Sequence, residues 1–175
     1  MTETPVDDRA LPPALAEIAA VEFDYDDGNG IDFEPYDVFD SAGETTDWLR
    51  HWTGNRALDG AAYRVFGQDG TGGLAALWCV RAGRPLAEQP VVFMGSEGAC
   101  GVVAGTLSDF LWVLADGIGP MEAVEYDDHT GRPDPTLTSL AERHASTPRR
   151  SAQAIIADAR AQFPTYAEDI DALCR

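Results

Sequence analysis

The sequence predicts an α+β fold, in which a single domain has a central antiparallel β-sheet meander flanked by N-terminal and C-terminal helices. Two observations support this prediction. The middle third of the chain contains short runs rich in valine, leucine and aromatic residues, and the connections between them are too short for crossover helices. The outer thirds instead place apolar residues at helical spacing. With 175 residues, 45% of them hydrophobic, we expect one domain spanning residues 1–175, of which residues 1–10 are disordered or loosely held.

The first predicted helix follows Pro12 and Pro13, because proline suits a first helical turn and apolar residues then recur at helical spacing. Residues 22–44, EFDYDDGNGIDFEPYDVFDSAGE, mix acidic and aromatic side chains, and we predict a long, partly ordered surface segment there. A second short helix is expected after Ser41, whose spacing from Glu44 is that of a capping box. A glycine–asparagine pair ends this helix.

Four short runs in the middle of the chain are predicted to be consecutive strands. Valine and aromatic side chains favour strands, and glycine turns or the segment GRPLAEQ separate the runs. Both faces of the runs are apolar, so helices are expected to cover much of the sheet. The four runs are AAYRVFG, LAALWCVRA, PVVFMGS and CGVVAG.

From residue 106 onward the apolar spacing becomes helical. Thr106 is the expected N-cap of the next helix, with Asp109 in its first turn and Gly117 at its end. Three more helices are predicted after an acidic stretch, GPMEAVEYDDHTGRPDP, and Pro164 separates the last two. Their sequences are TLTSLAERHA, SAQAIIADARAQF and TYAEDIDALC.

The glycine-rich stretch FGQDGTGGLAALW (66–78) either binds a phosphate or forms a tight turn. Gly70, Gly72 and Ala75 fit a permitted variant of the dinucleotide-binding fingerprint, G-x-G-x-x-A. However, the following run is too short and too strand-prone for the required helix, and the Asp69 carboxylate would repel the phosphate. No lysine follows the glycines, which excludes a Walker loop. We therefore predict a hairpin turn and no cofactor.

Other catalytic and metal-binding patterns are weak. Residues 24–34 resemble a calcium loop, but the glycine and the final glutamate of the EF-hand template fall on other residue types, which leaves an irregular divalent-ion site as an alternative. Ser96 lacks the G-x-S-x-G context of a hydrolase nucleophile, and the three histidines are scattered. Asp69 and Glu97, in turns that could lie at one edge of the sheet, remain a candidate carboxylate pair. We predict no catalytic residues and no metal site.

The net charge of −18 is concentrated in two segments. Residues 1–44 contain thirteen acidic residues and one arginine, and residues 116–128 contain five acidic residues and no base. Such a field repels nucleic acids and anionic membranes and attracts basic proteins, although acidity also serves solubility alone. We predict a basic protein partner, with the interleaved tyrosines and phenylalanines as anchors. The predicted partner-binding residues are Asp24, Asp26, Asp27, Asp32, Glu34, Asp37, Asp69, Glu97, Glu122, Glu125, Asp127 and Asp128.

The cellular compartment is predicted from three features. The three cysteines form an odd number without C-x-x-C spacing, which is typical of buried thiols in a reducing cytoplasm. The N-terminus has no basic region leading into an apolar stretch, so no secretory signal is expected. The apolar runs are also too short to span a bilayer. We therefore expect a cytoplasmic protein that does not act at a membrane.

Four stretches between residues 45 and 118 follow one another in a distinctive order: YRVFGQDGTGG (63–73), LAALW, PVVFMGSEG and GVVAGTLSDFLWVLA. This order of motifs resembles that of the SUKH superfamily, which includes bacterial immunity proteins and fungal cell-wall regulators of the Smi/Knr type. In that family, a strand ending in FG leads through an acidic glycine turn into the next strand, and a later strand leads into an amphipathic helix. The acidic segment at residues 22–44 departs from the family pattern.

The resemblance implies a central antiparallel sheet wrapped by helices, and a binding role rather than catalysis. Many bacterial members of the superfamily resemble immunity proteins that sequester a toxin, often a nuclease. We therefore expect a non-enzymatic protein-binding module that neutralises a toxin through an acidic surface. The alternatives are a housekeeping regulatory or scaffold protein of the same fold, or a small-ligand or divalent-ion binder at the turn from Asp69 to Gly73.

Overall fold

The computed structural model describes residues 9–175, and the predicted α+β arrangement is confirmed there. Over these residues the chain forms one compact unit of seven α-helices and a five-stranded antiparallel sheet. Residues 1–8, which include most of the stretch expected to be disordered or loosely held, lie outside the described residues.

The strands form a meander. They are β1 (Glu34–Pro35), β2 (Tyr63–Gln68), β3 (Leu74–Trp78), β4 (Val91–Met94) and β5 (Cys100–Ala104). Each strand pairs antiparallel with the next one in sequence, which gives the order β1-β2-β3-β4-β5. The four predicted strands are β2 to β5. The sequence does not predict β1, because two residues within an acidic segment are too few to show an alternating pattern.

Helices precede and follow the sheet. They are α1 (Pro13–Ile18), α2 (Ala42–Thr53), α3 (Leu107–Ala115), α4 (Pro120–Glu125), α5 (Pro135–His144), α6 (Ala152–Gln162) and α7 (Tyr166–Leu173). The capping box of α2 is confirmed, since the side chains of Ser41 and Glu44 each accept a hydrogen bond from the other's amide. Thr106 Oγ1 caps α3 by accepting from the amide of Asp109 at 3.1 Å. Only α4, within the acidic stretch, is absent from the prediction.

Both faces of the sheet are covered, as the apolar strands predict. On one face, Phe66, Leu77 and Phe93 pack with side chains of α1, α3 and α5. On the other face, Val65 and Met94 pack with side chains of α2, α6 and α7. Burial on both faces explains why the strands are continuous apolar runs in the sequence and lack an alternating pattern.

The acidic segment at residues 22–44 contributes to the core, which its composition does not indicate. Ile31, Phe33 and Phe39 are each buried to 6% exposure. The ring of Phe33 meets that of Phe66 edge to face, with 6.0 Å between the ring centroids. These contacts fix the acidic side chains between them relative to the sheet.

The β2–β3 turn (Asp69–Gly73) and the β4–β5 turn (Gly95–Ala99) lie at the same end of the meander, which we call the turn end. The Ser96 hydroxyl donates a hydrogen bond to Thr71 Oγ1 at 2.8 Å and so joins the two turns. Trp52 Nε1 donates to the first carbonyl of the β4–β5 turn at 2.8 Å, which ties α2 to this end. Helix α4 packs against β4 and β5. The turn end therefore brings together parts of the chain that are distant in sequence.

Candidate functional site

The glycine-rich turn between β2 and β3 uses all five of its backbone amides within the protein. Asp69 Oδ1 accepts hydrogen bonds from the amides of Thr71 at 3.1 Å and Gly73 at 2.7 Å. Asp32 Oδ1 accepts from the amide of Gly70 at 2.9 Å. The two other amides donate to backbone carbonyls within the turn. Because a phosphate-binding loop needs such amides unoccupied, this turn offers a phosphate no donor. The predicted hairpin turn is confirmed.

The carboxyl group of Asp69 is the central hydrogen-bond acceptor of this turn. Its side chain is 3% exposed, and it also accepts a hydrogen bond from the Thr71 hydroxyl at 2.9 Å. It therefore takes the position that a bound anion would occupy in a nucleotide-binding loop. Its acceptors are engaged by the turn itself, so the predicted pair with Glu97 has only one accessible carboxylate.

Five carboxylates converge at the turn end, and we call them the carboxylate cluster. They are Asp32, Asp69, Glu97, Glu122 and Glu125. They come from the acidic segment, from both turns and from α4. A Cβ placed on Gly95 would lie 3.1 Å from Glu125 Oε1, which locates that carboxylate beside the β4–β5 turn. All five belong to the twelve residues predicted to bind a partner.

Asp32 links α4 to the glycine-rich turn. Its amide donates to Glu122 Oε1 at 2.6 Å, while its own Oδ1 accepts from the amide of Gly70. Asp32 and Glu122 are 90 positions apart in the sequence, so no local pattern indicates their contact. The position of the acidic segment at the turn end thus depends on a glutamate of α4.

Glu122 is the most buried member of the cluster. Its side chain is 2% exposed, and its Oε2 has no hydrogen-bond partner among the described residues. Burial raises the pKa of Glu122, and the charges of Asp32 and Asp69 raise it further. Hydrogen bonds from the backbone amides of Asp32 and of Glu122 itself lower it, but the net shift is upward. Desolvation also raises the pKa of Glu125, to which the charges of Asp69, Glu97 and Asp32 add. The surroundings of Glu122 and Glu125 therefore disfavour the ionised forms of these two side chains.

Several acidic side chains elsewhere are paired with arginines. Asp26 pairs with Arg132 at 2.5 Å, and Asp127 pairs with Arg160 at 3.7 Å. Further pairs join Glu17 to Arg143 and Asp116 to Arg149. Among residues 9–175, no ion pair includes a member of the carboxylate cluster. The negative charge of the cluster is thus not neutralised by a guanidinium of the described chain.

The other predicted residues do not join the cluster. Asp26 and Asp127 are in the ion pairs above. Asp24 accepts from the amide of Asp26 at 2.8 Å, and Glu34 accepts from Gln68 Nε2 at 3.1 Å. The remaining three are exposed at separate positions: Asp27, Asp37 and Asp128. The structure thus divides the predicted surface into a cluster of five carboxylates and seven residues outside it.

The predicted aromatic anchors are only partly available. Phe33 and Phe39 belong to the core, so their assignment as contact residues is wrong. Tyr25 is 48% exposed. Sequence reasoning missed Tyr126, also 48% exposed, which directly follows α4 and the cluster member Glu125. Its position next to an acidic run was the available signal.

The cysteines differ in exposure. Cys100 is half-buried, and burial raises the pKa of its thiol to about 11. Cys174 is exposed, so the expectation of buried thiols is wrong for this residue.

Two further properties concern residues 9–175. No group of three or more histidine, cysteine, aspartate or glutamate side chains within this range is arranged to hold a metal ion. No helix in the same range has the length and apolarity needed to cross a membrane.

Comparisons of the chain with protein-family models, curated proteins and solved structures gave no match. The resemblance to the SUKH superfamily therefore rests on the motifs between residues 45 and 118 alone.

Proposed function

We propose that this protein is a non-enzymatic, cytoplasmic binding module that neutralises a basic protein, in the manner of SUKH-type immunity proteins, through the acidic surface at the turn end. The observation that carries the proposal is the carboxylate cluster, which is free of arginine pairing within residues 9–175. Glu97 and Glu125 are exposed and Asp32 is half-buried, so a partner can reach three of its members.

Electrostatics support a basic partner. Unpaired carboxylates at one end of a protein steer a cationic surface into contact and speed association. Elsewhere, arginines neutralise several of the acidic side chains, which sharpens the contrast between the turn end and the rest of the surface. Tyr126, exposed beside the cluster, supplies an aromatic contact of the kind that is enriched in interfaces.

A nuclease toxin fits this surface because it must present a cationic groove to the phosphates of its substrate. A cluster of carboxylates competes for the same groove. Other features favour binding over catalysis. The Ser96 hydroxyl donates to Thr71, and Asp69 is engaged by its own turn, so neither is arranged as a nucleophile or base.

Two variants that each lose three negative charges, and so have the same net charge, test the role of the cluster. The first variant combines Asp32→Asn, Glu97→Gln and Glu125→Gln, in which the amide oxygen introduced at position 32 can still accept from the Gly70 amide. The control combines Asp47→Asn, Glu142→Gln and Glu168→Gln, which are exposed positions outside the cluster. We expect the cluster variant to bind a hexa-arginine peptide about tenfold more weakly than the control at low ionic strength. Equal affinities for the two variants would refute the cluster as the binding surface.

The toxin is tested separately. If the neighbouring gene encodes a secreted toxin-like protein, co-expression should protect cells from it, and the cluster variant should protect less than the control. Protection that does not depend on the cluster would place the toxin-binding surface elsewhere on the protein. A genomic context without a toxin gene would favour the regulatory alternative.

A further inference from the structure

Glu122 combines two features that are unfavourable for an ionised carboxylate. It is 2% exposed, and its Oε2 has no hydrogen-bond partner among residues 9–175. A buried charge is costly unless donors or an opposite charge compensate it. Among residues 9–175, the Asp32 amide donates to Oε1. A hydrogen bond from the backbone amide of Glu122 itself also lowers the pKa of this carboxyl group, but burial has a larger effect than either hydrogen bond.

The charged groups around Glu122 come from several elements. Asp32 of the acidic segment and Asp69 of the β2–β3 turn act on it with the same sign as its own charge. A cavity of about 220 Å³ lies beside α4. It is lined by Glu122 and by Asp127, His129 and Arg160. Arg160 is engaged there by Asp127 and by the carbonyl of Ala123 at 3.0 Å. Within residues 9–175, no ion pair joins Arg160 or another arginine to the Glu122 carboxyl group.

We propose that Glu122 holds a proton in the free protein and releases it to solvent when a cationic side chain of the partner binds at the carboxylate cluster. The inference rests on the proposed function, because it requires a cationic partner at this site. A guanidinium or ammonium group near Asp32 and Glu125 offsets the negative charge around Glu122 and so favours its ionised form. The proton passes to the buffer, and no covalent bond within the protein changes.

This coupling gives the interface a defined pH dependence. Where the free protein still holds the proton and the complex does not, the affinity rises with pH by up to about tenfold per pH unit. Burial and the two neighbouring carboxylates raise the pKa of Glu122 in the free protein, so the upper limit of this window lies above the ordinary pKa of glutamate.

Calorimetry of hexa-arginine binding tests the proposal. Titrations at one pH, in buffers of different ionisation enthalpy, count the protons released per complex. We expect the wild-type protein to release up to one proton more per complex than Glu122→Gln. The amide oxygen introduced by this substitution can still accept a hydrogen bond from the Asp32 amide. Glu142→Gln, an exposed substitution on α5, should behave as the wild type.

The outcomes separate the two proposals. If the peptide binds and the wild type and Glu122→Gln release equal numbers of protons, the proton coupling is wrong while the acidic interface stands. If neither protein binds the peptide at low ionic strength, both proposals fail. Carbon-detected NMR of the Glu122 carboxyl group in the free protein gives a check that needs no variant. Titration in the ordinary range of glutamate would overturn the inference on its own.

Discussion

Each end of the sheet holds a buried polar side chain, and the two side chains are equally exposed but differ in hydrogen bonding. Gln89, in the β3–β4 connection, and Glu122, at the turn end, are each 2% exposed. The amide group of Gln89 donates to the carbonyls of Arg81 at 2.7 Å and Arg84 at 3.2 Å, and its Oε1 accepts from the Arg81 amide at 2.9 Å. Glu122 leaves one oxygen without a partner among the described residues. The fold therefore satisfies every polar group of the Gln89 side chain, whereas it leaves one oxygen of Glu122 without a partner among residues 9–175.

The charged side chains at the two ends of the sheet also differ in how they are paired. At the β3–β4 end, the Arg81 guanidinium donates to the carbonyls of Glu88 and Gly105 and to Gln162 Oε1 at 2.9 Å. It also lies over the ring of Phe163, 5.5 Å from the centroid. Arg81 is half-buried, and its guanidinium donates to acceptors of its own chain. The carboxylates of the turn end, by contrast, have no ion pair within residues 9–175. The comparison supports a structural role for the β3–β4 end and is consistent with the binding role proposed for the turn end.

The largest effect on stability is expected at Gln89, where every polar group of the side chain is hydrogen-bonded. Gln89→Ala removes two donors and one acceptor and leaves the backbone groups of Arg81 without their partner. We expect a loss of about 2–4 kcal/mol in the free energy of unfolding, measured by urea denaturation. Gln153→Ala, an exposed glutamine on α6, is the matched control and should change stability by less than about 0.5 kcal/mol. A loss for Gln89→Ala no larger than that of the control would remove the structural distinction between the two ends.

The sequence predicts those parts of the fold that depend on local chemistry. The capping box of Ser41 and Glu44, the cap at Thr106 and the glycine-rich hairpin turn are each formed within a few residues, and each is confirmed. Helix α4 escapes prediction because six residues with three apolar side chains among acids show no helical stripe.

The site is predicted less completely, because its key contact is not local. Asp69 and Glu97 lie in turns, and a meander of short strands places such turns at one end. The contact between Asp32 and Glu122 spans 90 positions and depends on how α4 packs against β4 and β5. Composition identifies both residues as acidic, but it cannot distinguish them from Asp26 and Asp127, which the fold pairs with arginines.

Glu122→Gln is expected to change the free energy of unfolding by less than Gln89→Ala and to raise it, whereas Gln89→Ala lowers it. The pKa of Glu122 is raised above its ordinary value of 4.5, mainly by burial, so the folded state binds this proton more tightly than the unfolded state. The stability that the protonated group contributes is complete below pH 4.5 and is lost as the pH rises through the raised pKa. At about pH 8 the variant should be more stable than the wild type by about 1 kcal/mol, whereas the two should converge in acid.

Urea denaturation across this pH range measures the difference. Glu142→Gln on α5 makes the same chemical change at an exposed position and should leave the pH profile of the wild type intact. If Glu122→Gln is less stable than the wild type at every pH, the buried carboxylate is compensated after all. The contrast with Gln89 would then disappear.

The smallest effect concerns the hydrogen bond that joins the two turns. Ser96 is exposed, and its hydroxyl donates to Thr71 Oγ1 at 2.8 Å, so water competes for the same groups. A double-mutant cycle of Ser96→Ala and Thr71→Val should give a coupling energy of about 0.5 kcal/mol. The cycle is needed because Thr71 also donates to Asp69, and the single Thr71→Val variant loses both contacts.

A coupling energy of zero, together with unchanged hexa-arginine binding by Ser96→Ala, would mean that strand pairing alone sets the position of Glu97 relative to Asp69. The turn end would then be a consequence of the meander and would not need its own hydrogen bond.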